Sequence, residues 1–234
     1  ECRYDMFVWD VARFGAWADK AFTKARVGDQ YANRFKIHFP NEERSAGRPA
    51  RVRPAYEMQK QMGCVFGLNC GWEHPLWFAD EPGTEETAGF TRQNWFDPVG
   101  REVQMLRDSV GVIDISNFAN YVIKGPGAYD WLDRLVANRV PTEVGRSCLT
   151  PLISVRGGVA GDFTITKLAE DEYMMIGSGM AERYHQRFFQ MVEMPERTAF
   201  EVATDRVAGF NIAGPKSREA LARLTNADLS NEGL

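Results

Sequence analysis

Little in this sequence is made for metals or disulfides. It has four cysteines, Cys2, Cys64, Cys70 and Cys148, none in a paired C-x-x-C spacing. Only three histidines, His38, His74 and His185, are available to complete a metal site, so no metal ligands are assigned. The cysteines read as structural thiols in a reducing compartment, a cytoplasm or an organelle matrix. No run approaches the roughly 18 apolar residues of a membrane helix. The first residues also lack the basic-then-apolar pattern of a signal peptide. Nor is there an excess of positive charge: a net charge of −4 gives no uniform basic field for nucleic acid. Neither a membrane nor a nucleic acid is expected as a partner.

What is present is a globular chain. With 44% hydrophobic content over 234 residues it can bury one good core or two small ones, and it is neither disordered nor low-complexity. It opens Glu-Cys-Arg-Tyr-Asp without an initiator Met and closes Leu-Ser-Asn-Glu-Gly-Leu. A piece of a longer polypeptide is expected.

Three segments differ in composition. Asp5–Val27 reads as a helix, because Phe14, Trp17, Ala18 and Phe22 recur at spacings of three and four, and Gly28 is placed to stop it. Tyr56–Met62 reads as a short helix capped by Gly63. Cys64–Phe78, dense in glycine and aromatics, reads as a packed linker or edge region whose tryptophans fill an interface, with contact to a cofactor or substrate left open. Ala79–Gly89 is acidic and rich in breakers, and marks an exposed loop or boundary. From Pro98 onward strands and helices alternate. Helices are expected over Gly100–Ser109, from Gly125-Pro126 to about Val136, and over Met180–Met194. A strand or turn is expected over Gly111–Asn117, and strands over Asn120–Lys124, Leu149–Val155, Phe163–Leu168 and Glu172–Ile176. The fold class is therefore α+β, divided as residues 1–97 and 98–234.

An internal repeat underlies the second part. Ile123–Leu135 aligns without gaps on Ile212–Leu224, an offset of 89 residues, with identities at Ile, Gly, Pro, Leu, Arg and Leu. In each copy a strand ends in Gly-Pro and feeds a helix, where proline suits the first turn because its missing N–H has no partner there. Duplicated strand-helix units are expected.

Asp162 is the carboxylate best placed for chemistry. It follows the Arg156-Gly157-Gly158 turn inside Leu149–Leu168. Strand alternation puts Asp162, Thr164 and Thr166 on one face and Phe163 and Ile165 on the other. Such a carboxylate can take a proton from an amine or hold a cationic nitrogen, and equally can be a solvated turn residue. His74, between Glu73 and Pro75, is either a packed or solvent-exposed histidine or one facing a cofactor. Asp114 is either a turn cap or a ligand contact. The arginines of Arg44–Arg53 form either an ion-pair set or a site for an anionic tail.

Four stretches, Val110-Gly-Val-Ile-Asp-Ile-Ser116, the strand into Gly125-Pro126, Arg156-Gly-Gly-Val-Ala-Gly-Asp162 and Asn211-Ile-Ala-Gly-Pro-Lys-Ser-Arg218, resemble in order and interval the folate-binding aminomethyltransferase family of the glycine-cleavage T-protein. Tyr4-Asp-Met-Phe-Val-Trp-Asp-Val-Ala-Arg-Phe14, His38–Pro49, Arg53-Pro-Ala-Tyr56, Gly63–Gly67 and Gly71–Pro75 resemble the junction and central domain of FAD-dependent dimethylglycine and sarcosine dehydrogenases. The resemblance implies the end of a flavin oxidoreductase unit and central linking domain over 1–97. It implies the N-terminal part of a T-protein-like folate-binding domain over 98–234.

It also implies oxidative demethylation of an N-methyl amine, with FAD and tetrahydrofolate as cofactors and 5,10-methylenetetrahydrofolate as product. A homo-oligomer is left open. Asp162 takes the role of the family's acid at the folate nitrogens, and Ile176, Gly177 and Ser178 match the stretch whose backbone lines the pteridine. Two departures stand out. The resemblance puts Gly161 where glycine-cleavage enzymes carry a further acid, as flavin-linked relatives also lack it. It puts Leu149 where family members often carry tyrosine. The same architecture occurs in a regulatory subunit of pyruvate dehydrogenase phosphatase and in folate-dependent demethylases of other substrates, which supplies the alternatives.

Overall fold

The computed structural model describes residues 9–233. Cys2, and the beginnings of the stretches read from Tyr4 and Asp5, lie outside the described residues. In chain order the elements are α1 (Lys20–Ala32), α2 (Tyr56–Gln61), β1 (Cys64–Asn69), β2 (Trp72–Phe78), α3 (Phe96–Asp108), β3 (Gly111–Asp114), β4 (Ala119–Lys124), α4 (Ala128–Leu135), β5 (Ser147–Ile153), β6 (Val159–Ala169), β7 (Glu172–Gly177), α5 (Glu182–Phe189), β8 (Ala199–Val202), β9 (Phe210–Ala213) and α6 (Ser217–Leu221). They fall into two compact units. One holds the residues up to Asp19 with Asn117–Val207, the other Lys20–Ser116 with Ala208 onward. The compositional change at residue 98 lies inside the second of these. No helix among the described residues is long and apolar enough to cross a membrane.

The first unit is built on a five-stranded antiparallel sheet in the order β5-β6-β7-β4-β8. One face of that sheet is the core. Tyr121, Ile123, Phe163, Ile165, Tyr173 and Met175 alternate along their strands to reach it and are at most 1% exposed. On α4, Ala128, Trp131, Leu132 and Leu135 recur at helical spacing and close over it. Phe189 of α5 joins them edge-on to Tyr121 at 5.2 Å. Polar tips that enter this core are satisfied. Trp131 Nε1 donates to the Val192 carbonyl at 3.0 Å and Tyr173 Oη to the Pro141 carbonyl at 3.2 Å.

The second unit carries two two-stranded antiparallel sheets, β1-β2 and β3-β9. Trp72 and Trp77 of the first hairpin are buried, and the Arg51 and Arg53 guanidiniums lie 3.7 and 3.5 Å from the Trp72 ring centre. Arg48 forms a bidentate pair with Glu73, through Nε at 3.0 Å and Nη2 at 2.6 Å. Arg44 pairs with Asp29, so in the Arg44–Arg53 run Arg44 and Arg48 stand in ion pairs and Arg51 and Arg53 lie over Trp72.

Three expectations are corrected. Asp5–Val27 is not one helix. Among the described residues, Asp10 Oδ1 accepts the Ala12 N–H at 2.8 Å and caps a single 3-10 turn, Val11–Arg13, and the α-helix begins only at Lys20. That helix runs through Gly28, whose exposed surroundings leave it the roughly 1 kcal/mol cost of glycine in a helix and nothing more. Met180–Met194 shortens to α5, because the chain turns after Gln190 to bring the Val192 carbonyl onto Trp131. Cys64–Phe78 is a regular hairpin rather than a linker. Its Pro75 is tolerated because it sits beside a bulge at Val65/Phe66.

The repeat is reproduced bond by bond. The Ala128 N–H donates to the Gly125 carbonyl at 2.9 Å, and its counterpart Ser217 donates to Gly214 at 3.1 Å. Trp131 to Gly127 is matched by Ala220 to Lys216, and Val136 to Leu132 by Thr225 to Leu221. The copies also exchange strands: β3 pairs with β9, and β8 pairs with β4. In the first pairing Ile115 N–H donates to the Gly209 carbonyl at 2.9 Å while Ser116 Oγ accepts the Gly209 N–H at 3.1 Å. In the second, Ala203 N–H donates to the Asn120 carbonyl at 2.7 Å while Thr204 Oγ1 accepts the Asn120 N–H at 3.0 Å.

Both copies turn at a glycine with positive φ, Gly125 at 120° and Gly214 at 114°. A Cβ at Gly125 would overlap the Arg197 carbonyl, and one at Gly214 the Ser109 carbonyl. Gly125→Ala and Gly214→Ala are each expected to cost about 2–4 kcal/mol in urea unfolding, from the forbidden φ together with the backbone overlap.

Candidate functional site

The second face of the five-stranded sheet is only partly covered, and the alternation of β6 decides what it presents. Pairing sets Asp162 opposite Pro151, Thr164 opposite Leu149 on one side and Ile176 on the other, and Ile176 opposite Asn120. Residues directly opposite in an antiparallel ladder share a face. Leu149, Asp162, Thr164 and Ile176 therefore form one patch across β5, β6 and β7. Asp162 and Thr164 are exposed, Ile176 half-buried and Leu149 68% exposed, while Phe163 between the first two is 1% exposed on the core side.

The turn that leads into this patch is closed by two 2.8 Å bonds, Ser154 N–H to the Gly158 carbonyl and Gly157 N–H to the Ser154 carbonyl. At the other end of the same face, Ser147 Oγ and Thr166 Oγ1 are 2.7 Å apart. The patch is thus an apolar platform with one carboxylate and a row of hydroxyls.

The stretch Ile176-Gly177-Ser178 is divided by the strand. Ile176 faces outward beside Thr164. Gly177 is buried, with no room for a Cβ against Phe163 and with the Asp162 carbonyl close by. Ser178 is exposed and precedes a 3-10 turn, Gly179–Ala181. The structure brings Asp162, Ile176 and Gly177 together at adjoining strand positions.

Sequence reasoning missed His185. It is 2% exposed in α5, one helical turn before Phe189, and its ring meets that of Phe163 edge-on at 4.7 Å. Its Nδ1 lies 3.4 Å from Tyr121 Oη, which donates to the Glu182 carbonyl at 3.2 Å. Burial pushes the imidazole down to about 4, against the opposing pull of the Asp162 charge, so it is neutral at physiological pH. Burial also pushes the Tyr121 phenol upward, so it too is neutral. The only signal in the sequence was a lone histidine on an otherwise aromatic helix face.

Elsewhere, Asp114 acts as a turn cap. Its Oδ1 accepts the Ser116 N–H at 2.9 Å and its Oδ2 the Gln59 side-chain amide at 3.0 Å. His74 sits in β2, half-buried, with burial lowering its basicity. Cys64 is buried and its thiol pushed up to about 12 by burial, as suits a structural cysteine. Among the described residues no cluster of His, Cys, Asp and Glu has the arrangement of a metal site.

The sequence matches the family model of the GCVT N-terminal domain over residues 55–234 and that of the FAD dependent oxidoreductase central domain over residues 1–52. It is 34% identical over 236 residues to the mitochondrial dimethylglycine dehydrogenase of Mus musculus, covering 98% of this chain and 27% of that protein. It is 27% identical over 234 residues to the mitochondrial pyruvate dehydrogenase phosphatase regulatory subunit of Mus musculus, covering 95% of this chain and 26% of that protein. The chain thus spans about a quarter of the length of these relatives. Among solved structures, the glycine cleavage system aminomethyltransferase T from Bartonella henselae superposes with a TM-score of 0.57 at 21% identity, covering 74% of this chain and 43% of that one. That likeness concerns the fold: a mixed helix-and-sheet T-protein-like architecture.

Proposed function

The chain belongs to the GCVT N-terminal domain family, and from that premise we propose that it is the folate-facing part of an enzyme that oxidatively demethylates an N-methyl amine, dimethylglycine or sarcosine. In this proposal residues 1–97 end the oxidoreductase part and 98–234 begin the folate-binding part. The observation that carries it is the exposed Asp162 carboxylate on a half-apolar sheet face, next to Thr164 and Ile176.

That face fits a reduced pterin. Leu149 and Ile176 offer a surface for a flat ring, Thr164 a hydroxyl, and Asp162 an acceptor for ring N–H groups. Tetrahydrofolate, when bound, supplies the nitrogens that accept the one-carbon unit as 5,10-methylenetetrahydrofolate. With tetrahydrofolate bound, Asp162 would hold a folate nitrogen by accepting its N–H, take that proton on a carboxylate oxygen and return it to the departing amine nitrogen; the second folate N–H proton, lost as the methylene bridge closes, would leave on the protonated amine. Gly177 is buried at the end of β7 beside Phe163, and the Asp162 carboxylate is exposed on the outer face of β6. FAD enters through the match of residues 1–52 alone; no residue here is assigned to it.

The test is direct. In the full-length protein, addition of dimethylglycine or sarcosine is expected to bleach a bound flavin. A second reading, a catalytically silent regulatory protein, draws support from the 27% identical regulatory subunit and from Leu149 in place of a tyrosine. It predicts no bleaching with either amine.

A further inference from the structure

We propose that His185 is a positioning residue for Asp162: its imidazole fills, from the core side of β6, the room that a side chain at residue 161 would need, and so fixes the strand immediately before the carboxylate. The inference rests on the role given to Asp162 above.

Alternation along β6 places Gly161 and Phe163 on the core face and Asp162 between them on the outer face. A Cβ built on Gly161 would lie 2.7 Å from His185 Nε2, 3.0 Å from its Cδ2 and 3.2 Å from Phe163 Cε2. Gly161 is therefore matched to His185, and the imidazole is wedged between the 161 backbone and the Phe163 ring.

The ring is more than a filler, because its polar edge is tied down. The Tyr121 hydroxyl proton goes to the Glu182 carbonyl, so its oxygen is left to accept from His185 Nδ1–H. This assigns the proton to Nδ1 and leaves Nε2 unprotonated toward residue 161. A continuous line of contacts then runs from α5 through Tyr121 of β4 and His185 to β6. It locks the backbone on one side of Asp162, while Gly177 against Phe163 locks it on the neighbouring strand. Loss of the lock would let the carboxylate drift, and a misplacement of about 1 Å costs as much as a hundredfold in rate.

The test uses the full-length protein and reads methylenetetrahydrofolate formed per flavin reduced by dimethylglycine, so that loss of folded enzyme cancels. His185→Ala is expected to lower this ratio about ten- to a hundredfold through the turnover of the folate step, with the KM for tetrahydrofolate within about twofold of the parent. His185→Gln, which restores a polar atom near Nε2, is expected to recover most of the loss. Gly161→Ala is expected to behave like His185→Ala, and the double variant Gly161→Ala/His185→Ala to exceed Gly161→Ala alone, because removing the imidazole makes room for the methyl group. If His185→Ala does not fold, Gly161→Ala and the double variant carry the same comparison. Parent-like ratios in His185→Ala and Gly161→Ala, with Asp162→Asn impaired, overturn the positioning role while leaving Asp162 in place. A parent-like ratio in Asp162→Asn overturns the assignment of Asp162, and the positioning role with it.

Discussion

Asp162→Asn in the full-length protein is expected to slow formation of 5,10-methylenetetrahydrofolate by about a hundred- to ten-thousandfold, the range for removing a positioned proton acceptor. Asparagine keeps the size and the capacity to accept one hydrogen bond, but cannot take up a proton. Because Asp162 is exposed on the outer face of β6, the substitution removes no core packing, and stability is expected to move by no more than about 0.5 kcal/mol. Rapid-quench product analysis beside a thermal melt separates the two effects. Thr164→Val, on the same face, removes a hydroxyl without removing the acceptor. It is expected to cost only about tenfold or less, the worth of one neutral hydrogen bond.

Acid is expected to weaken the unit built on the five-stranded sheet well before its carboxylates titrate. The His185 imidazole sits at about 4 in the folded chain and at about 6.5 when unfolded. Between those values the unfolded state binds a proton that the folded state refuses. The stability is therefore fully present above about pH 6.5 and is lost as the pH falls toward 4. At about 1.4 kcal/mol for each pH unit, the loss comes to roughly 3 kcal/mol, more than a hundredfold in the folding equilibrium. His74, in the other unit and also lowered by burial, acts there with the same sign. Urea unfolding at pH 7, 5.5 and 4.5 isolates the larger share: His185→Gln is expected to flatten the profile and His74→Gln to change it little. A parent-like slope in His185→Gln would mean that the imidazole is not the titrating group.

Much of the sheet was legible because its strands alternate strictly. The β6 period placed Asp162, Thr164 and Thr166 opposite Phe163 and Ile165, and the burial along β6 follows that division. The Gly-Pro repeat was legible because a strand end, a positive-φ glycine and a helix start are all local events. The exchange of β3 onto β9 and β8 onto β4 was not, since no local signal specifies which of two similar strands a partner takes. The N-terminal helix failed for a different reason. The chain leaves the short turn Val11–Arg13 extended at Phe14, so Phe14 and Trp17 lie outside any α-helix with their rings tilted against each other at 6.1 Å. The hairpin β1-β2 was hidden by its density of glycine and aromatics, which reads as a packed linker or edge region until the register is seen. At the candidate site the carboxylate was legible and its neighbour was not. His185 meets Gly161 from a helix that follows one strand later, and spacing along the chain carries no trace of that contact.

The fate of the methyl carbon tests the central assignment most directly. With dimethylglycine carrying carbon-13 in its N-methyl groups and tetrahydrofolate present, the full-length protein is expected to deliver the label to 5,10-methylenetetrahydrofolate. Asp162→Asn is expected to shift it to free formaldehyde. The same partition in both proteins, whichever product holds the label, would contradict the assignment of folate chemistry to the Asp162 face.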